Sequence, residues 1–393
     1  MKLRRVVGCM TGTSLDGLDA SLVEIEGEGL AMRARVVRSL SRGLGEVGPR
    51  LRAIAEQNPV TAGEVASVSR DFALLHASAI LELLAGERAD LVCVHGQTVF
   101  HKPPLSWQLM QPAPIANAVG CPVVYDLRQA DLAAGGQGAP ITPIADWVLF
   151  GDLPGFTAIV NLGGFCNITR LPAPGMTGLD AKGRSICESP DAIEAICRTA
   201  PPRASRDLGS EVALIQALDV CACNQLLDEV ARKLLKAPFD EDGHAASSGQ
   251  VHSGALTDLH GILRAQSLSK RSLGTGDELV EWISRYRAHV AGPDLAATAC
   301  EGIAQTVADV LAGDASHVLI AGGGVHNAAL VRAIFSCGTA RVEATDQHGV
   351  PAAYREAICF AVLGALCQDK VPITIPAVTG VAKAPLSGAW VYP

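Results

Sequence analysis

Apolar and polar positions follow two different periods along this chain, and the periods mark out its elements. Val6 and Val7 open one apolar run, and Ala20 to Ile25 form a second, rich in branched residues. Between them Gly, Thr, Ser and Asp dominate, which reads as strand, tight turn, strand. Ala31 to Arg38 alternates and predicts a third strand, so the chain opens as a three-strand meander. Arg50 to Gln57 and Thr61 to Leu84 switch to helical spacing, the second with Phe72, Leu75, Ile80 and Leu83 on one face and a stop near Gly86. Leu91 to Val94 is a short buried strand running into His95-Gly96-Gln97-Thr98. Pro103 to Pro114 reads as a Pro-rich connection, and Cys121 to Tyr125 as another buried strand.

The pattern then repeats. Phe156 to Val160 is a strand, Asn161-Leu162-Gly163-Gly164-Phe165 a glycine turn, and Cys166 to Leu171 the returning strand. Two such hairpins in separate halves suggest an internally duplicated fold. A third glycine turn, Gly322-Gly323-Gly324-Val325-His326-Asn327, follows the strand His317 to Ala321 and leads into a helix from Ala328 to Phe335. Further helices are expected over Gln225 to Leu235, Leu279 to Tyr286, Asp294 to Leu311 and Tyr354 to Leu366. Ala173 to Ser210, rich in Pro, Arg, Ser and Asp, reads as a surface insertion. Ala133 to Pro140 is a flexible stretch suited to a hinge or a substrate-facing loop, and Phe239 to Gly249 is polar and small. The tail from Val371 to Pro393 is expected to return to the first domain.

Composition narrows the class. At 393 residues two domains are the natural division. Hydrophobic residues make up 49% and charged residues 18%, which supports packed cores and argues against disorder. Scarce aromatics and 40 glycines suit an α/β protein with many tight turns. A net charge of −8 and the lack of a basic run argue against a nucleic-acid partner. No apolar stretch has the length of a signal-peptide core or a bilayer span, so the expectation is a cytoplasmic protein with no membrane partner. The 12 cysteines lie mostly in apolar runs, as small core residues of a reducing compartment. The pair Cys221 and Cys223 has no second pair at ligand spacing, so zinc is not indicated.

Candidate chemistry gathers at the ends of the buried strands. In the opening turn, Gly12 and Gly17 would let the backbone approach a ligand, and Thr11, Thr13 and Ser14 offer hydroxyls. Asp16 and Asp19 offer carboxylates suited to hydrated Mg²⁺. Backbone N–H groups there could hold phosphate, although an ordinary hairpin turn would look the same. A strand, glycine turn and helix form a nucleotide contact, because the helix N-terminus faces the ligand. Three such turns, each after a buried strand, point to a nucleotide. His95 to Thr98 end a buried strand, either meeting a ligand or capping a turn. Arg128 is a candidate carboxylate clamp, or the partner of Asp126 or Asp131. Asp219 is either a general base or the N-cap of the helix that follows.

Several stretches together resemble one family, the anhydro-N-acetylmuramic acid kinases of the sugar-kinase/actin/heat-shock ATPase superfamily. They are Gly12-Thr13-Ser14-Leu15-Asp16-Gly17-Leu18-Asp19, His95-Gly96-Gln97-Thr98, and Asp126-Leu127-Arg128 through Asp131 to Gly135-Gly136-Gln137-Gly138-Ala139-Pro140. Asn161-Leu162-Gly163-Gly164-Phe165-Cys166-Asn167, Asp240-Glu241-Asp242-Gly243, Ala245-Ala246-Ser247-Ser248-Gly249, the Gly322 to Asn327 turn, Glu356-Ala357 and Pro376-Ala377-Val378-Thr379-Gly380 complete the set. The resemblance implies two ribonuclease-H-like domains of the actin-like ATPase fold with a nucleotide cleft between them. It implies ATP and Mg²⁺ as cofactors, an amino sugar as the small-molecule partner, and a homodimer as a possible assembly. The implied reaction opens 1,6-anhydro-N-acetylmuramic acid with water and phosphorylates O6, in peptidoglycan recycling.

By the same likeness, ATP would be bound by Gly12, Thr13, Ser14, Leu15, Asp16, Gly17, Leu18, Asp19, Asn161, Gly163, Gly164, Gly322, Gly323, Gly324 and Asn327, with Asp16 toward Mg²⁺. Substrate would meet His95, Gln97, Thr98, Arg128, Asn224 and Glu356, and Asp219 would be catalytic. The family's Asp-Thr-Gly-Pro-Gly-Asn reads here Asp219-Val220-Cys221-Ala222-Cys223-Asn224. A left-handed backbone at either glycine position would strain a cysteine there. Two other readings stay open on the residues: a non-catalytic nucleotide-binding homologue, and a kinase of a related amino sugar. The expected domains are 1–131 plus 371–393, and 132–370 with the insertion near 173–210.

Overall fold

The structure is a computed structural model and describes residues 3–13, 15, 17–176, 178, 201–268, 277–311, 315–337 and 341–393. The chain divides into two compact units. One is Met1–Pro154 with Pro172–Gln216 and Tyr354–Pro393; the other is Gly155–Leu171 with Ala217–Ala353.

In the first unit the opening meander forms as its alternation predicts. β1 (Leu3–Thr11), β2 (Leu18–Glu26) and β3 (Arg33–Arg42) pair antiparallel. β4 (Leu91–Val94) lies parallel to β1, β7 (Val123–Tyr125) parallel to β4, and β13 (Ala389–Val391) closes the sheet antiparallel to β7. The order is β13-β7-β4-β1-β2-β3. A separate hairpin, β5 (Gln97–Lys102) and β6 (Leu105–Leu109), occupies much of what reads in sequence as a Pro-rich connection. The helix Ala62–Leu84 starts at a capping box: Thr61 Oγ1 accepts from the Glu64 amide, and the Glu64 carboxylate accepts from the Thr61 amide. It buries Phe72, Ile80 and Leu83.

The helix Arg355–Gln368 is apolar almost all round and packs on β1, β2 and β4. Gly8 in β1 and Gly364 in the helix allow that approach: a Cβ at Gly8 would stand 2.0 Å from the Ala357 carbonyl, and one at Gly364 would stand 2.6 Å from Cys93 Cβ. The division into units runs differently from the sequence-based boundaries here. Residues 132–154, 172–216 and 354–370 group with the first unit, where this helix packs on β1, β2 and β4 and Arg203 and Arg206 bond to the Met32 and Gly151 carbonyls.

In the second unit β8 (Thr157–Leu162) and β9 (Phe165–Leu171) form the second hairpin. β11 (His317–Ala321) runs parallel to β8, and β12 (Arg341–Ala344) parallel to β11. β10 (Gln216–Ala222) lies at the edge, giving β10-β9-β8-β11-β12. Both sheets therefore carry the 3-2-1-4-5 order of the ribonuclease-H-like fold, in agreement with the duplicated hairpins. The helices Ser253–Leu268, Asp277–Tyr286 and Gly292–Leu311 enclose the second core, with Trp282 and Leu295 among its buried members.

Nine of the ten described cysteines are buried and all ten are free thiols, consistent with their reading as core residues. No group of three or more His, Cys, Asp or Glu among the described residues could hold a metal ion. No helix among them is long and apolar enough to cross a membrane.

Candidate active site

Ligands of open α/β sheets bind at the carboxyl ends of parallel strands, and the sequence-selected residues stand at such ends in each unit. In the first unit Thr11 ends β1, His95 follows β4 and Arg128 follows β7. The turn after Thr11 is tight: the Gly12 carbonyl accepts from the Leu15 amide at 3.2 Å and from Gln97 Nε2 at 3.4 Å. Among its described residues Leu15 is left-handed, with φ +57°, and its side chain is buried. Thr13 is exposed, Gly17 and Asp19 are half-buried, and Leu18 belongs to the core. Ser14 and Asp16, expected at phosphate and Mg²⁺, lie outside the described residues. Thr11 Oγ1 and Gln97 Oε1 are buried without a hydrogen-bond partner among the described residues.

Arg128 is fixed by its neighbours. Its Nε donates to His95 Nε2 at 3.0 Å, and its Nη1 to the Gly138 carbonyl at 2.8 Å. His95 is buried and uses its other nitrogen, Nδ1, toward the Gly96 carbonyl at 2.8 Å. Burial, then the Arg128 charge, hold His95 well below its ordinary pKa, so it is the neutral imidazole that accepts from Arg128. Asp131 is buried and accepts from the Gly138 amide at 2.8 Å and from Thr379 Oγ1 at 2.9 Å. A Cβ at Gly136 would fall 2.1 Å from the same carboxylate, so the loop needs glycine there. The loop between Ala133 and Pro140 is thus pinned, and the tail motif at Thr379 helps pin it.

Glu356 stands in the first turn of the helix Arg355–Gln368, half-buried. Burial raises its pKa, Asp19 and Asp146 reinforce the rise, and Arg355 and Arg128 oppose it. A carboxyl held in this way can carry a proton closer to neutrality than an ordinary glutamate. Its helix is tethered from below: Arg355 donates through Nε to Asp146 Oδ1 at 2.8 Å and through Nη2 to the other oxygen, both residues buried. Sequence reading had no reason to pair positions 209 residues apart. Thr98 is engaged in the hairpin, its hydroxyl accepting from Gln108 Nε2 at 3.3 Å.

In the second unit three segments meet at the ends of β8 and β11. The Gly163 and Gly164 carbonyls accept from the amides of Asn224, at 3.0 Å, and Cys223, at 2.9 Å. Asn224 Nδ2 donates to the Leu162 carbonyl at 3.1 Å. Gly322 has φ +85°, and a Cβ there would lie 2.9 Å from Asn161 Oδ1 and Leu162; at Gly324 it would lie 2.7 Å from Leu162 Cβ. The Asn161 side chain is buried with Oδ1 unpartnered, and Gly323 is exposed. Asn327 caps the helix Ala328–Cys337, its Oδ1 accepting from the amides of Ala329 and Leu330 at 3.1 and 3.0 Å. Asp240 accepts from the amides of Ala245 and Ala246, so the polar stretch after Phe239 contains a capped helix, His244–Ser248.

Asp219 is half-buried within β10 and raises the pKa of the buried Cys166, after burial and Cys221. It is not an N-cap. The following helix, Asn224–Val230, has Cys223 at that position, with no side-chain bond. Cys223 has φ −124° and Cys221 is not left-handed, so the cysteines at the family's glycine positions escape that strain.

The family model described as anhydro-N-acetylmuramic acid kinase matches residues 4–183 and 211–393. The anhydro-N-acetylmuramic acid kinase of Bordetella parapertussis is 33% identical over 408 residues, covering 99% of this chain and 96% of the relative. That of Synechococcus sp. is 31% identical, covering 99% and 100%, and that of Streptomyces coelicolor 33%, covering 98% and 93%. Among solved structures, a ROK family glucokinase from Streptomyces griseus in complex with glucose and AMPPNP is 15% identical, covers 92% of this chain and 99% of that one, and has a TM-score of 0.39.

Proposed function

The chain belongs to the anhydro-N-acetylmuramic acid kinase family, and from that premise we propose how its residues divide the work of the reaction. The protein is an ATP-dependent sugar kinase. It opens the 1,6-anhydro ring of 1,6-anhydro-N-acetylmuramic acid with water and phosphorylates O6, giving N-acetylmuramate 6-phosphate and ADP. The observation that carries this is the full-length match, which includes the strand-end motifs of both units.

In our reading Asp219 takes a proton from the water that attacks the anomeric carbon. The bond from that carbon to the bridging oxygen breaks, and the freed O6 attacks the γ-phosphorus as ADP leaves. Arg128, steadied by His95 and the Gly138 carbonyl, clamps the sugar's carboxylate. His95 then acts through Arg128 rather than on substrate, and Glu356 hydrogen-bonds the sugar. The turn from Gly12 to Asp19 and the glycines at 163, 164 and 322 to 324 hold the nucleotide by backbone approach. A Mg²⁺ ion bound with ATP would neutralise phosphate charge. Such ions need only one or two protein carboxylates beside phosphate and water, and Asp16, with Asp19 beside it in the same turn, would offer them. The reading places the enzyme in the cytoplasm, as a homodimer, recycling peptidoglycan sugars.

The test is ADP release and sugar-phosphate formation with and without 1,6-anhydro-N-acetylmuramic acid. In the Asp219→Asn variant kcat should fall by about 10²–10⁴-fold, the usual worth of a general base, with KM for ATP little changed. Retention of more than roughly a tenth of kcat removes Asp219 from that role.

A further inference from the structure

The tail motif Pro376-Ala377-Val378-Thr379-Gly380 contributes no residue to the proposed site, yet it is bonded to the loop that steadies the clamp. Thr379 lies 248 residues beyond Asp131, and its hydroxyl donates to Asp131 Oδ1 at 2.9 Å. The other oxygen of that carboxylate accepts from the Gly138 amide at 2.8 Å. The carbonyl of the same Gly138 accepts from Arg128 Nη1 at 2.8 Å. Three consecutive hydrogen bonds therefore join a tail hydroxyl to the guanidinium. Thr379 and Asp131 are wholly buried, and every member of the relay belongs to the first unit.

The middle of the relay cannot hold itself. Gly138 has φ +68°, and a Cβ there would stand 2.8 Å from Leu132 Cγ, so the position requires glycine. A glycine has little conformational preference of its own, and the bond from its amide to Asp131 supplies the missing constraint. The Asp131 carboxylate in turn rotates about a broad torsion. The Thr379 hydroxyl narrows that rotation by holding the oxygen that Gly138 does not use. Attachment of the loop is a separate matter. The Gln137 amide donates to the Thr379 carbonyl and the Gly136 amide to the Asp131 carbonyl, both at 2.8 Å. These are backbone bonds and survive exchange of the Thr379 side chain, so losing the hydroxyl alters the aim of one carboxylate rather than the course of the loop. At the other end Arg128 is held at two atoms, Nη1 by Gly138 and Nε by His95, which together set the plane of the guanidinium. A planar fork recognises a carboxylate by alignment, so tilting the plane weakens the contact.

We propose that Thr379, acting through Asp131 and Gly138, is a positioning residue for Arg128 and so a determinant of selectivity for an acidic sugar over a neutral one. The proposal rests on the reading of Arg128 as the clamp on the sugar's carboxylate.

The experiment uses the full chain and two ligands, 1,6-anhydro-N-acetylmuramic acid and its neutral carboxamide. The readout is the ratio of their dissociation constants by titration calorimetry, with KM for ATP as the reference. In Thr379→Val the preference for the acid should fall about tenfold, the worth of one hydrogen bond to a charged group, while KM for ATP stays unchanged. Thr379→Ser keeps the hydroxyl and should keep the preference. Arg128→Lys loses the fork and should lower the preference by itself, and adding Thr379→Val to it should lower it no further. Should Thr379→Val fail to fold, Thr379→Ala is read in the same way. A folded variant without the hydroxyl that keeps the wild-type preference overturns the proposal. So does a loss of the same size in the Arg128→Lys background, which would mean that Thr379 acts by another route. If Arg128→Lys itself keeps the wild-type preference, the clamp reading has failed, and the selectivity role of Thr379 falls with it.

Discussion

Replacing Gly8 by alanine puts one methyl group where the first unit has no room for it, and the consequences should reach the sugar site proposed at Glu356. The nearest atoms are backbone: the Ala357 carbonyl oxygen at 2.0 Å and the Ala361 amide nitrogen at 2.3 Å from the added Cβ. Neither can rotate away, so the helix Arg355–Gln368 must retreat by roughly 1 Å or more to restore ordinary contact. The same face is in close contact a turn further on, with Gly364 against Cys93 beside Gly8 in the sheet. Overpacking of this kind costs about 3 kcal/mol, the upper end of its usual range. For a unit of this size that corresponds to a fall in melting temperature of roughly 6–12 °C.

The clash is at the residue after Glu356, so the carboxyl moves with the helix. A displacement of about 1 Å at a reacting site can cost on the order of 10²-fold in rate. Differential scanning calorimetry and steady-state kinetics on the purified variant give both numbers. Gly261→Ala is the control: it lies inside the helix Ser253–Leu268 with nothing within 4 Å of its added Cβ. That change should be neutral or stabilise by about 1 kcal/mol. A Gly8→Ala enzyme that melts within about 2 °C of wild type and keeps its kcat/KM would refute the close-packing argument and the coupling to Glu356 together.

Other outcomes follow from buried charge. His76 is held down to about 4 by burial, opposed by its bond to the Phe72 carbonyl, against an ordinary 6.5. The unfolded chain therefore binds more protons as pH falls, so this contribution is whole above 6.5 and is lost on acidification toward 4. Between pH 8 and pH 5 the loss is about 2 kcal/mol, and urea midpoints should show His76→Leu losing less than wild type, His95 still contributing in the same direction. Asp146→Asn leaves the buried Arg355 charge uncompensated and should cost about 3–5 kcal/mol. The double variant Asp146→Leu with Arg355→Met should recover most of that in the same denaturation assay; equal losses in single and double variants would show that packing, not charge, is responsible.

Much of this fold was legible because its signals are local. The alternation of β1 to β3, the run Leu91 to Val94 and the Thr61 to Glu64 cap each specify their element within a few residues. The two glycine hairpins revealed the duplication for the same reason, since strand order follows from meanders and short crossovers. What failed to show was non-local. Nothing near Arg355 announces Asp146, and the apolar helix after it carries no mark of which sheet it covers. Polar composition placed Ala173 to Ser210 on the surface, although Arg203 and Arg206 satisfy their charges in the interior. The helix Ser253–Leu268 escaped notice because its buried residues, Ala255, Leu259 and Leu263, form a thin stripe.

The family motifs also divide by what their polar atoms already do. Asp131 spends both oxygens on Gly138 and Thr379, Asn327 caps its own helix, Asp240 caps another, and Asn224 holds the end of β8. Such residues are specific in sequence because a loop or helix start has one geometry, and exchanging them would shift a whole segment. Glu356 is different: its surroundings raise its pKa, and no hydrogen bond to the described residues uses its carboxyl. A carboxyl kept half-buried without a hydrogen bond among the described residues costs stability, which a scaffold has no reason to accept. Motif identity alone does not separate the two groups. The hydrogen bonds do, and they direct mutagenesis for chemistry to Glu356, and mutagenesis for folding to Asp131 and Asn327.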